Sequence, residues 1–151
     1  MQSYSKNTNK LKRFLRPDSA AERAIKEAAF GDRNAKVNVP LRTLHQAIDE
    51  GDLDVRIAAA AYRHADRYVL EKASKDSEEL VRWAALGNPN VSCRQIVKIV
   101  REFYSKSAAE ITSPIGTTFS YFLKNNPNSK RRNFALKCVK RYSRGMAGVI
   151  S

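Results

Sequence analysis

No hydrophobic run in the chain approaches the roughly 18 residues that a membrane-spanning helix needs. The N-terminus, MQSYSKNTNKLKRF, is basic but has no apolar core, so it does not read as a secretory signal. Cysteine is scarce. Cys93 and Cys138 allow one disulfide at most, and both lie in stretches of helical periodicity, where a buried thiol is the simplest reading. A reducing cytoplasm is therefore expected rather than secretion. Six glycines and five prolines are too few for a low-complexity disordered chain. His45 and His64 stand far apart with no cysteine at a metal-ligand spacing, so no zinc pattern exists. The four acids of DEGDLD, 49–54, lack the alternating oxygen ligands and final Glu of a calcium loop, and a capped helix-to-helix turn fits them better. Neither a phosphate-binding glycine loop nor a G-x-S-x-G nucleophile turn is present. No metal, no cofactor and no catalytic residue is expected.

What the chain does have is positive charge, +13 over 151 residues, unevenly spread. Residues 1–45 carry ten basic and four acidic residues, 46–96 seven and nine, and 97–151 eleven and two: +6, −2 and +9. Mere solubility does not require such segregation. Two basic ends around a neutral middle point to a polyanionic partner.

The chain also partly repeats itself. A shift of 26 residues lays Val55-Arg56 on Val81-Arg82 and Ala58-Ala59 on Ala84-Ala85. A shift of 38 lays Asn88-Pro89-Asn90 on Asn126-Pro127-Asn128, Trp83 on Tyr121 and Ile96 on Phe134. The extra residues fall in SKSAAEITSPIGTT, 105–118, which reads as a loop. Each unit reads as helix, Asn-Pro turn, helix. Gly87 can end the first helix in the left-handed conformation, Pro89 can open the next, and Ser92 or Asn90 can cap it. Ser19 with Glu22 forms a capping-box pattern opening an earlier helix, closed by Gly31. Two short helices cannot bury their apolar faces alone, so successive units must stack.

The segment SEELVRWAALGNPNVSCRQIVKIV resembles a leucine-rich-repeat-variant unit and, more loosely, a HEAT repeat: an acid, Val-Arg, small residues, Asn-Pro, then an aliphatic helix. Residues 76–100 carry the full pattern. Residues 49–75 have Tyr62-Arg63-His64 in place of Asn-Pro-Asn, and 119–144 lack the Val-Arg. The resemblance implies an all-α fold, a short right-handed α-solenoid of about four helical-hairpin repeats. Some relatives of this kind hold a cysteine-ligated iron–sulfur cluster, for which this chain lacks the cysteines.

In SKRRNFALKCVKRYSR, 129–144, a 100° period places Phe134, Ala135, Cys138, Val139 and Tyr142 on one arc. Lys130, Lys137, Lys140, Arg141 and Arg144 take the opposite arc, and Arg131 and Arg132 the first turn. From 124 to 144 there are eight basic residues and no acid, although a solvated face would mix signs to gain i,i+4 pairs. Arg94, Lys98 and Arg101 form a second stripe, which falls on the other flank when Ile96 is laid on Phe134. Lys6, Lys10, Lys12, Arg13 and Arg16 make the N-terminal stretch a basic arm. Arg56 and Arg82 read instead as a ladder pairing with acids of neighbouring units, such as Asp52, Asp54 or Asp76. HEAT-like repeats also build one class of DNA glycosylase, but pairing Trp83 with an acid such as Asp66 has no supporting context here.

The sequence therefore predicts a flexible basic arm over 1–18, a helical-repeat domain over 19–146 and a short tail over 147–151. The expected function is non-catalytic nucleic-acid binding through phosphate contacts from Lys10, Lys12, Arg13, Arg16, Arg94, Lys98, Arg101, Lys130, Arg131, Arg132, Lys137, Lys140, Arg141 and Arg144. Tyr104, Tyr121 and Tyr142 are candidates for base stacking, though their helical spacing suits a core. The rival expectation is an adaptor whose basic face docks an acidic protein. The small size and charge also suit a phage or mobile-element protein.

Overall fold

The computed structural model describes residues 23–27 and 39–144; the basic arm, the Ser19–Glu22 capping box, Gly31 and the C-terminal tail lie outside them. Among the described residues every regular element is helical. A helical turn over 23–27 precedes α1 (Leu41–Glu50), α2 (Leu53–Ala61), α3 (Arg67–Ser74) and α4 (Glu79–Leu86). Then follow α5 (Cys93–Tyr104), the short α6 (Ala108–Ile111), α7 (Pro114–Lys124) and α8 (Ser129–Tyr142).

Local chemistry starts these helices where the sequence offers an oxygen to the orphan N–H groups of the first turn. Asp52 accepts from Val55 N at 3.0 Å, Asp66 from Val69 N at 3.1 Å and Ser92 from Gln95 N at 3.1 Å. Gln95 returns the bond to Ser92 N at 2.9 Å, completing a capping box. The stretch 105–118 is not a plain loop. Ser107 caps α6, and Ser113 caps α7 with Pro114 in its first turn, so the Ser and Pro that suggest a loop are helix-start signals here. Gly87 also departs from expectation. Its φ is −81°, not left-handed; a side chain there would put Cβ 3.0 Å from Phe122 O, so glycine serves the close approach of α7. Pro89 stays in the turn, and α5 begins at Cys93.

The helices form two rows. α2, α4 and α7 pack against one another in that order, and so do α1, α3, α5 and α8; α2 crosses onto α3, α4 onto α5 and α7 onto α8. The small residues Ala58, Ala59, Ala60, Ala84 and Ala85 are buried and let the first row pack closely. Trp83 closes the other side, edge-on to Phe119 at 5.6 Å and Phe103 at 5.9 Å, while Phe103 and Phe119 stack at 3.8 Å.

The Asn-Pro-Asn turns tie one unit to the next. Asn88 is 1% exposed, and its Nδ2 donates to Ala60 O and Tyr62 O, both at 2.8 Å. Asn126, equally buried, donates to Leu86 O and Asn88 O, both at 3.0 Å. Leu86 and Asn88 stand 26 residues beyond Ala60 and Tyr62, so the two amides occupy the same rung of one ladder. The second asparagines add a parallel rung, Asn90 Nδ2 to Arg63 O at 2.8 Å and Asn128 Nδ2 to Pro89 O at 3.0 Å.

Candidate nucleic-acid interface

The position of the basic side chains depends on helix register. Ser92 caps α5 two residues after Asn90, whereas Asn128 itself caps α8, its Oδ1 accepting from Lys130 N at 3.1 Å and Arg131 N at 3.3 Å. Cap to cap, the offset is 36, two residues less than the offset between the Asn-Pro-Asn turns. This rotates α8 and removes the mismatch that appears when Ile96 is laid on Phe134. Lys130 now falls on Arg94 and Lys137 on Arg101. Buried Ala135 falls on buried Ile99. Arg131 falls on Gln95, and both reach back to the preceding helix: Gln95 Nε2 to Glu71 Oε1 at 3.0 Å, Arg131 Nη1 to Cys93 Sγ at 2.6 Å. The two stripes therefore occupy the same face of two helices that pack together.

On this face Arg94, Arg101, Lys130, Lys137, Lys140, Arg141 and Arg144 are exposed and Lys98 is half-buried. Arg141 lies over the Tyr142 ring, 5.7 Å from its centre. The other seven have no ion pair or side-chain hydrogen bond with a described residue. Among the described residues, Lys137, Lys140, Arg141 and Arg144 line an open concavity of about 370 Å³. No acid follows Glu110 anywhere in the chain, so α7 and α8 offer these cations no counter-charge.

Two of the sequence candidates are engaged elsewhere. Arg131 is spent on Cys93, and Arg132 Nη1 donates to Asn126 O at 3.1 Å, the carbonyl that by the ladder's repeat an incoming asparagine would take. Lys10, Lys12, Arg13 and Arg16 lie outside the described residues.

Arg56 and Arg82 are structural. Arg56 Nε and Nη2 grip Asp76 at 3.0 and 3.4 Å while Nη1 donates to Gly51 O at 3.0 Å, which joins α2 to the turn before α4. Arg82 donates to Asp76 O at 2.7 Å and pairs with Glu102 of α5 at 3.6 Å, within its own unit. The cap offset of 26 places Lys72 of α3 and its C-cap Lys75 in line with Lys98 and Arg101, but they face Asp49 and Glu71, each at 3.6 Å. The unpaired strip thus begins at α5.

At the opposite end of this row, His45 Nε2 meets Asp66 Oδ2 at 2.7 Å, and the His45 and Tyr68 rings lie 4.3 Å apart. Burial pushes the Asp66 carboxyl up, but the His45 hydrogen bond and charge, with the Val69 N–H, outweigh it and hold it below its ordinary value of 3.8. Tyr68 donates to Asp49 at 2.6 Å, which raises its phenol above the usual value. Trp83 is buried against Phe103 and Phe119, whereas Asp66 engages His45 and the Val69 N–H.

Burial also raises the Cys138 thiol and the Tyr104 phenol. Of the three tyrosine candidates, Tyr104 and Tyr142 are half-buried against the core and Tyr121 is 62% exposed, on the other row of helices. Among the described residues no group of three metal-ligating side chains gathers, and no helix is long and apolar enough to cross a membrane. No protein-family model, no curated protein and no solved structure matches the chain.

Proposed function

We propose that the chain is a short right-handed α-solenoid of about four helical-hairpin units, of the leucine-rich-repeat-variant or HEAT-like kind, and that it binds nucleic acid without catalysis through the phosphate backbone. Support for the solenoid comes from the two ordered rows of helices and the asparagine rungs repeated between units. The observation that carries the binding reading is the α5–α8 strip, where cations from two packed helices share one face and the acid that borders it, Glu102, is paired with Arg82. Like charges held side by side repel, and a polyanion relieves that repulsion while releasing its own counter-ions.

A protein partner is the second reading, favoured by the end of the two rows. There Tyr121 of α7 is 62% exposed, and Leu136 of α8, one turn before Lys140, is 41% exposed. Tyr121 stands where Trp83 stands in the preceding unit, a position that packs against the next helix of its row.

Titrating labelled generic DNA and RNA at several salt concentrations decides between them. Phosphate binding gives log K falling steeply and linearly with log salt. An adaptor gives weak, flat oligonucleotide binding and captures one defined acidic protein.

A further inference from the structure

The strip has two rows, and aromatic residues of its helices, Tyr104, Phe134 and Tyr142, are half-buried rather than exposed. Arg94, Lys98 and Arg101 form one row on α5; Lys130, Lys137 and Arg141 on α8, with Arg144 just past its end, form the other. Helices in contact lie about 8–10 Å apart, so the rows run side by side at roughly that separation. At 1.5 Å per residue the α8 row is about 21 Å long and the α5 row about 10 Å.

A single strand offers one line of phosphates and gains much of its affinity from bases stacked on aromatic rings. Here Tyr104 is edge-on to Phe103 at 5.0 Å and to Phe119 at 6.2 Å, and Phe134 and Tyr142 lie against the core. Tyr68, further along the same row of helices, is tied to Asp49 and stacked on His45. A duplex offers two lines of phosphates, across grooves about 6 and 12 Å wide, and requires no stacking. The α5–α8 separation falls between those widths, within reach of flexible Lys and Arg side chains.

Resting on the nucleic-acid reading above, we infer that the α5–α8 strip holds double-stranded nucleic acid, each helix following one backbone across a groove, and that single strands are poor ligands. The contact is with phosphates alone, so base sequence matters little.

The test uses the full chain, a short duplex and its separated strand, each as DNA and as RNA, in fluorescence anisotropy over a salt series. Two triple variants remove one row each: Arg94→Gln with Lys98→Gln and Arg101→Gln, and Lys130→Gln with Lys137→Gln and Arg141→Gln. None of the six is a buried core residue, although Lys98 is half-buried and Arg141 lies over the Tyr142 ring, so thermal melting followed by circular dichroism checks that each variant folds.

Seven contacts predict a duplex slope near −6, and each triple variant is expected to reduce its magnitude by about 3. The separated strand is expected to bind at least about tenfold more weakly, with about half the slope. The groove widths matched are those of B-form DNA, so the DNA duplex is expected to bind at least as tightly as the A-form RNA duplex; an RNA duplex that binds while the DNA duplex does not overturns the groove match. A strand that binds as tightly as the duplex, or a row whose removal leaves duplex binding unchanged, overturns the duplex inference and leaves the nucleic-acid reading standing. Absence of salt-dependent binding to either form overturns both.

Discussion

Asn88 shows why a buried amide serves at this turn where an apolar side chain of similar size would not. Two carbonyls at the end of the preceding unit's first helix need donors, and the amide supplies both hydrogens while its oxygen accepts from Asn90 N at 2.9 Å. Replacing it with Ala strands those groups in a site closed to water. Asn88→Ala is expected to cost at least about 2 kcal/mol, read from urea unfolding. Asn88→Asp keeps the acceptor but sets a carboxylate against two carbonyl oxygens, so it should be the more damaging of the two; an Asp variant more stable than the Ala variant would remove the ladder argument. Asp66 gives a pH-dependent counterpart. Its folded pKa lies below the unfolded value, so its contribution is present above about pH 4, the ordinary carboxylate value, and is lost as pH falls through the folded pKa. Asp66→Asn preserves the helix cap but not the charge. The melting-temperature gap between wild type and this variant is expected to narrow on acidification below pH 4, and a constant gap would contradict the His45–Asp66 account.

Among elements, α4 and α5 hold the centre. Trp83 is 3% exposed between α5 and α7, and Trp83→Ala is expected to lower stability by about 3–5 kcal/mol in thermal or denaturant unfolding. Arg56→Gln breaks a charge-assisted grip on Asp76 and should cost roughly 1–3 kcal/mol without weakening any ligand directly. Much of this level was legible in the sequence. The helical period, the Ser92 cap and the doubled Asn-Pro-Asn turn announced the helices, and the apolar arc of α8 matches the burial of Ala135 and Cys138. The register of α8 was not legible, because aligning the turns by Asn-Pro-Asn hides that Asn128 takes both the rung and the cap, roles split between Asn90 and Ser92 one unit earlier. Ser113-Pro114 misled for a related reason: the same residues open helices and fill loops, and only the backbone N–H groups that Ser113 meets distinguish the two. Nor does composition reveal that Arg131 and Arg132 are drawn inward while Lys137 and Lys140 stay free.

Across the whole molecule, charge is graded along one row of helices. Lys72 and Lys75 pair with acids of α1 and α3, α5 carries three cations beside a single acid, Glu102, that is paired with Arg82, and α8 carries more cations and no acid. On the proposed reading the footprint falls at the α5–α8 end, where the strip faces solvent and Arg132 takes the Asn126 carbonyl. The most direct measurement is the slope of log K against log salt on a generic duplex for wild type, for Lys137→Gln with Lys140→Gln, Arg141→Gln and Arg144→Gln, and for Arg56→Gln. The quadruple variant should melt at or above the wild-type temperature, because only like charges are removed, and its slope should be shallower by up to about 4 units, roughly 0.9 per lost phosphate contact. Arg56→Gln should melt earlier and keep the wild-type slope under conditions where it is folded. A quadruple variant with unchanged slope and affinity, beside an Arg56 variant that is stable but no longer binds, would contradict the account.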